Sequence, residues 1–427
     1  MAEFPKGFLW GAASASYQIE GGVQEGGRGE SVWDTFSHTP GKIKNGDTGD
    51  IAADSFHRWR EDVQFIKDLG LGAYRFSIAW PRIAPNGGEP WNPEGFAYYD
   101  GLVDALLEAG VQPWATLYHW DLPQVLQNRG GWQNKDTAQA FGVYARRVAE
   151  HFKGRVTHWF TINEPQCFIG MGYGTGEHAP GLRLRVEDQL LCWKNMLLGH
   201  TLASEALHET DSKNIVGLAS CGGVCYPASE KAEDIEAARQ EMFACLEGFH
   251  GFSNQHLLDP LCLEDGPGKP DFIGLNIYHG TAVRMGEKGP ETVPYPTGGP
   301  RTAFDWPVTP EALEWGPRFA WERYGLPIYL SENGLSCHDW VSLDGKVHDP
   351  QRTDFLLRYL QALAKAIAAG ADVRGYFHWA LTDNFEWAAG YGQRFGLAYV
   401  DYATGRRIPK DSAAWYGNVV KTNGKVL

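Results

Sequence analysis

Long apolar runs are missing from this 427-residue chain, and nothing in it approaches the about 20 consecutive apolar residues that cross a bilayer. Runs of Lys or Arg are missing too. The formal charge of −14 comes from acidic residues scattered along the sequence, so no stretch can track a phosphate backbone or hold an anionic membrane. Neither nucleic acid nor membrane is an expected partner. Cysteine is sparse, and the seven thiols (Cys167, Cys192, Cys221, Cys225, Cys245, Cys262 and Cys337) are odd in number and widely spread. They lack the density of a disulfide framework and are expected to be reduced. The opening MAEFPKGFLWGAAS lacks the apolar core and cleavage site of a secretory signal, and no Asn-x-Ser/Thr sequon occurs. A cytoplasmic protein is expected.

Other absences narrow the function. No H-E-x-x-H occurs, and Cys221-x-x-x-Cys225 has no second Cys or His pair at zinc spacing, so structural thiols are expected and no metal. The glycines of Gly170–Gly176 never reach G-x-G-x-x-G spacing, and no helix pattern follows at once; a mobile active-site loop is expected there. His250 and His256, on a helix pattern, read as ordinary surface or packing residues. No Pro/Ser-rich linker, repeat or low-complexity block divides the chain, so one domain over residues 1–427 is expected.

Aromatics are plentiful: they make up 13% of the residues, with 17 Trp. Many Trp lie beside Gly, Asn, His or acidic residues instead of inside apolar runs. Core packing accounts for a share of them, and sugar binding for another, because the apolar C–H face of a pyranose stacks on an indole.

Short β-rich runs alternate with long amphipathic stretches, the pattern of parallel strands joined by crossover helices. The strands are expected at Phe8–Ala13, Ala73–Trp80, Pro113–Trp120, Thr157–Pro165, Ile215–Cys221, Asp271–Tyr278, Pro327–Glu332 and Val373–Leu381. The plainest helix is Thr353–Ala369, with Leu356, Leu360, Leu363 and Ile367 at three- and four-residue steps and Gly370 as a stop. Others are expected over Ser55–Leu69, Gly95–Ala109, Asp136–Lys153, Gln189–His208, Asp234–Leu258 and Glu311–Arg323. This is an α/β chain, and the alternation predicts a single (β/α)8 TIM barrel.

Chemistry in such a barrel sits at the C-terminal ends of the strands, and the unusual polar residues fall there. His119-Trp120-Asp121 follow strand three, Asn163-Glu164 strand four, Asn276 and Tyr278 strand six, and Glu332-Asn333 strand seven. Trp379 closes strand eight. A single Glu at a strand end is weak evidence, being more often a solvated rim residue. Two of them on strands that face each other across one barrel are the arrangement glycoside hydrolysis needs, and a carboxyl separation of about 5 Å would imply retention.

The motifs add to this. Phe8-Leu9-Trp10-Gly11-Ala12-Ala13-Ser14-Ala15-Ser16-Tyr17-Gln18-Ile19-Glu20-Gly21, Tyr74-Arg75-Phe76-Ser77, Tyr118-His119-Trp120-Asp121, Thr161-Ile162-Asn163-Glu164-Pro165, Ser331-Glu332-Asn333-Gly334 and Asp383-Asn384-Phe385-Glu386-Trp387 occur in this order. Over nearly its whole length the chain thereby resembles the family 1 glycoside hydrolases, the β-glucosidase family. The resemblance implies Glu164 as acid/base and Glu332 as nucleophile, with Arg75 keeping Glu332 ionised. It implies a sugar held by Gln18, His119, Asn163, Glu386 and Trp387, with Asn276, Tyr278, Trp379 and Phe395 completing the site. The substrate is then a small-molecule β-glucoside, with no metal or organic cofactor required. The sequence does not determine the oligomeric state.

The chain departs from that family in a short segment, Asp259–Pro270, before strand six, and in Ile277, where Tyr is common. The short segment reshapes one wall of the entrance and bears on the leaving group. Four rivals stand beside the β-glucosidase reading. A β-galactosidase or β-fucosidase of the same family differs in its preferred sugar. A 6-phosphoglycosidase would have to hold its phosphate against Glu386. A thioglucosidase would carry Gln where Glu164 stands. A non-catalytic sugar-binding protein would have no need of both Glu164 and Glu332.

Overall fold

The structure is a computed structural model that describes residues 4–244 and 252–427. Eight strands close into a parallel barrel: β1 Leu9–Ala13, β2 Ala73–Ser77, β3 Gln112–Tyr118 and β4 His158–Asn163, then β5 Ile215–Ser220, β6 Phe272–Asn276, β7 Ile328–Asn333 and β8 Val373–Trp379. Each pairs with its neighbours in sequence order, and β8 returns to β1 with Ala13 opposite Trp379. The fold is the expected TIM barrel. Most strand ends lie inward of expectation, by up to three residues, while β3 starts one residue earlier and β7 ends one residue later.

The interior is aromatic. Trp114 of β3 lies at the centre, with its ring 5.9 Å from Phe160, 5.6 Å from Phe272, 4.7 Å from Tyr329 and 5.3 Å from Phe377. Small residues on neighbouring strands make room for these rings: a Cβ at Gly217 would come within 2.5 Å of the Phe272 ring. Large and small side chains thus fill the barrel as a packed core.

Outside lie helices whose ends follow local chemistry. Ser55–Leu69 stops at Gly70, which adopts φ 74° as its C-cap, a conformation without steric cost for glycine. Pro93–Glu108 and Lys135–His151 begin at Asn92 and Asn134, whose side chains accept from the Glu94 and Asp136 amides at 3.2 and 2.9 Å. Such caps satisfy amides that lack helical partners.

Two expectations need correction. The single helix over Asp234–Leu258 is instead two, Ala232–Met242 and Asn254–Cys262. Ser253 accepts from the His256 amide at 3.5 Å and starts the second as an N-cap. Part of the expected span, with Cys245 and His250, falls outside the described residues. The stretch Gly170–Gly176 is not a free loop: Phe168–Thr175 is π-helical, with Tyr173 buried and its hydroxyl donating to Gln127 Oε1 at 2.6 Å. Among the elements not expected from the sequence are a small sheet of Cys225–Pro227, Thr281–Gly286 and Gly289–Thr292, a hairpin of Ala398–Asp401 and Arg406–Pro409, and a last helix, Asp411–Lys421. Among the described residues no helix is long and apolar enough to cross a membrane.

Candidate active site

A cavity of about 1010 Å³ opens at the C-terminal mouth of the barrel, with Glu164, Glu332, Glu386, Trp379, Trp387 and Phe395 in its wall. The backbone aims these groups. Glu164 follows the last residue of β4 at φ 47°, and Pro165 then begins a short helical turn. Trp120 (φ 81°) and Trp387 (φ 47°) adopt the same left-handed region, which costs a residue with a Cβ of order 1–3 kcal/mol and gathers at functional sites. At β7 the register slips between Leu330 and Glu332 against β6. Such an irregularity re-aims a side chain, and Glu332 turns into the mouth.

A continuous set of hydrogen bonds joins the two carboxyls. Arg75, wholly buried on β2, donates to Glu332 Oε1 at 2.5 Å and to Asn163 Oδ1 at 2.6 Å. Tyr278 Oη donates to Glu332 Oε2 at 2.8 Å. Asn276 Nδ2 donates to Glu164 Oε1 at 2.8 Å and to Asn163 Oδ1 at 3.1 Å, while its own carbonyl accepts from Ser331 Oγ at 2.6 Å. Glu332 therefore has a cation and a phenol; Glu164 has an amide.

This difference separates their proton affinities. Burial and then the nearby Glu332 charge raise the Glu164 pKa to about 8, with the Asn276 bond opposing. Burial also pushes Glu332 up, but the Arg75 charge, the Arg75 bond and the Tyr278 bond all work against it. The shared proton belongs on Glu164 and the charge on Glu332. Burial and both other carboxyls raise Glu386 to about 8. The hydrogen bond from Gln18 works the other way.

The remaining predicted residues form two groups. Trp379, Trp387, Phe395, His119, Asn276 and Tyr278 line the cavity. His119 stacks between the two indoles, its ring 5.9 Å from Trp379 and 6.0 Å from Trp387. Gln18, Asn163 and Arg75 sit behind that wall. Gln18 Nε2 donates to Glu386 Oε2 at 3.2 Å and to the Phe385 carbonyl at 3.0 Å, which leaves its buried Oε1 without a protein partner. With Asn163 Nδ2 donating to His119 Nε2 at 3.0 Å, the imidazole proton belongs on Nδ1, which is also buried and unpartnered. One free acceptor and one free donor are the pair that a sugar hydroxyl would satisfy. Asn163 has protein partners at both ends of its amide, with one Nδ2 hydrogen left over.

Sequence reasoning missed several wall residues. Trp120 packs on Trp387 at 4.4 Å, and Phe304 and Trp306 stack at 4.8 Å on the side near Phe395. Asp305-Trp306-Pro307 places an aromatic in a polar loop, the sole signal available. Cys167 and Cys221 also line the cavity.

The sequence pattern of Glycosyl hydrolase family 1 matches residues 1–262 and 263–425. The chain belongs to that family. This family 1 hydrolase is similar to Beta-glucosidase A of Thermotoga maritima, at 44% identity with 99% of this chain and 98% of the relative covered. It is also similar to the Bifunctional beta-D-glucosidase/beta-D-fucosidase of Bifidobacterium breve, at 41% identity over 97% of both chains. The solved Thermotoga maritima β-glucosidase in complex with glucoimidazole superposes with a TM-score of 0.90 at 43% identity, covering 99% of this chain and 100% of the other. The alignment to the first relative runs over 451 positions, 24 more than the hydrolase has residues. The family match breaks between residues 262 and 263, where the helix Asn254–Cys262 ends before β6.

Proposed function

We propose that the hydrolase is a retaining β-glucosidase, one catalytic unit over residues 1–427, acting on aryl and alkyl β-glucosides and on cello-oligosaccharides. The observation that carries this is the unequal pair: a carboxyl with Arg75 and Tyr278 beside one with a raised pKa in the same cavity. Glu332 attacks the anomeric carbon as Glu164 passes its proton to the departing oxygen, and a glycosyl ester on Glu332 results. Esterification removes the Glu332 charge, so the Glu164 pKa falls. Glu164 then takes a proton from the incoming water, whose oxygen bonds the anomeric carbon and releases Glu332. Double inversion leaves the β-anomer.

The sugar rests on Trp379 and Trp387, with the free Gln18 Oε1 and His119 Nδ1 meeting its hydroxyls and Glu386 accepting from O4 and O6. Asn163 acts through its ties to Arg75 and Asn276 and shares its amide with the 2-OH. A β-fucosidase activity beside the glucosidase draws support from the bifunctional Bifidobacterium breve relative. A phosphorylated sugar does not suit a cavity whose wall holds three carboxyls. The cysteines, odd in number and scattered without the density of a disulfide framework, support a cytoplasmic site of action.

Azide tests the two roles. In Glu332→Gly the anion enters the vacated space and attacks from the Glu332 face, so an aryl β-glucoside should give the α-glucosyl azide. In Glu164→Gly the aryl leaving group departs unaided, and azide meets the glycosyl-enzyme from the other face to give the β-glucosyl azide. Disaccharides should suffer far more than aryl glucosides in Glu164→Gly, by the roughly 10²–10⁴-fold that general acid catalysis contributes. Product anomers read by NMR decide it; the opposite assignment would reverse the roles.

A further inference from the structure

Two thiols stand beside the acid/base and take no part in the steps above. Cys167 lies one helical turn after Glu164, and Cys221 just past the end of β5. Their sulfurs are 3.6 Å apart although 54 residues separate them in sequence. Both are free thiols. One carboxylate oxygen of Glu164 and the two sulfurs all lie within 4.8 Å of one another, and the three residues line the cavity, so a dissolved ion can reach them.

We infer that Cys167, Cys221 and Glu164 form a site for a thiophilic divalent cation of the zinc and cadmium class, and that its occupation blocks the enzyme. Tetrahedral geometry with zinc–sulfur bonds of about 2.3 Å sets two sulfurs about 3.8 Å apart, close to the separation these thiols already have. The carboxylate–sulfur edges of such a site are about 3.6 Å, so the Glu164 oxygen, which lies within 4.8 Å of both sulfurs, has to move by at most roughly 1 Å. Three protein ligands leave a fourth position for a water from the cavity, the pattern of open zinc sites. Two sulfurs select zinc or cadmium over magnesium and calcium, which prefer oxygen. The Cys221 thiol points at Gln166 Oε1, 3.8 Å away, an outer partner that fixes its direction. On binding, each thiol releases its proton to solvent, and Glu164 also releases one when it holds one. The cation's two charges then face two thiolates and one carboxylate. With its carboxylate held by the ion, Glu164 cannot protonate a leaving group.

The inhibitory half rests on the acid/base reading of Glu164, whereas the binding half does not, so two readouts are needed. The parent enzyme, Cys167→Ser, Cys221→Ser and Cys192→Ser are titrated with cadmium while the thiolate-to-cadmium charge-transfer absorbance is followed. Zinc inhibition of cellobiose hydrolysis, whose leaving group needs the general acid, is measured in parallel. The parent and Cys192→Ser, whose thiol is buried away from the cavity on Val186–Thr210, should show one equivalent of the band and the same zinc sensitivity. Cys167→Ser and Cys221→Ser should lose at least half the band, and the half-inhibitory zinc concentration should rise at least about 100-fold, beyond the about 10–100-fold that an outer partner contributes. Cys167→Ala and Cys221→Ala serve if either serine variant fails to fold. A parent without the band, or variants with parental band and zinc sensitivity, would overturn the site. A band abolished by Cys221→Ser in an enzyme that zinc does not inhibit would overturn the acid/base reading instead, and the inhibitory half with it.

Discussion

Three glutamates share the cavity, and their neighbours assign them different work. Glu332 has Arg75 and Tyr278, Glu164 has Asn276, and Glu386 has the Gln18 amide. At Glu386 the expected chemistry is recognition of O4 and O6. Glu386→Ala should therefore cost a glucoside more than a fucoside, which lacks the 6-OH. A lost hydrogen bond to a charged group is worth about 1.5–3 kcal/mol, or about 10–150-fold in the ratio of the two kcat/KM values. Equal losses for the two sugars would remove Glu386 from the 6-OH contact.

The segment after β8 is held by buried charge. Asp383 accepts from Arg394 at 2.6 Å, from Lys410 Nζ at 2.6 Å and from the Gly396 amide at 2.9 Å. Lys410 is itself buried and also donates to Asp339 at 2.6 Å. The motif begun by Asp383 ends in Glu386 and Trp387, so the network fixes one wall of the cavity. Asp383→Ala leaves a buried ammonium with one anion where it had two, and removing one partner of a buried pair costs about 3–5 kcal/mol. Urea unfolding should show a lower midpoint at unchanged m-value, together with a raised KM for glucosides. A stability change below about 1 kcal/mol would show that the network is not needed there. The barrel strands and their helices were legible because their signals are local: apolar runs, 3.6-residue spacing, Gly and Asn at the ends. The small sheet and the hairpin were not, since Thr281–Gly286, Gly289–Thr292 and Arg406–Pro409 are mostly exposed or half-buried and carry no apolar run. The break in the Asp234–Leu258 pattern was equally hidden, because apolar spacing on both sides continued in phase.

For the whole molecule, buried acids make folding depend on pH. Burial raises Glu164 to about 8 and Asp121 to about 7. The folded state thus holds protons that the unfolded chain, with carboxyl pKa values of about 4, has already released. Where the native state binds more protons, stability falls as pH rises, at roughly 1.4 kcal/mol per pH unit for each such group. For these two acids the loss runs from about pH 4 to about pH 8. Buried His158, His178 and His200, pushed down to about 4, work the other way up to about pH 6.5, because there the unfolded chain binds the extra protons. Glu164→Gln and Asp121→Asn, which cannot ionise, should each lose less stability than the parent when urea midpoints at about pH 5.5 and about pH 8 are compared. Variants whose stability changes with pH as the parent's does would count against these proton affinities.

The sequence by itself determined the (β/α)8 architecture, the absence of a long apolar run, and the strand ends at which Glu164, Glu332, His119, Asn276 and Trp379 stand, because strand, helix and turn preferences are written in neighbouring residues. The family resemblance carried by its motifs implied, on top of that, which residues would hold a sugar. Tertiary structure decided which of those groups face one another. That Arg75 serves Glu332 through a 2.5 Å bond, that Asn163 has both amide ends engaged, and that Gln18 and His119 each keep one free polar atom are facts of packing between residues far apart in the chain. Trp306 reached the cavity wall, and Cys167 met Cys221, by the same route. No spacing rule joins residues on separate βα units; closure of the barrel brings them to one mouth, and the low dielectric there turns their charges into different proton affinities.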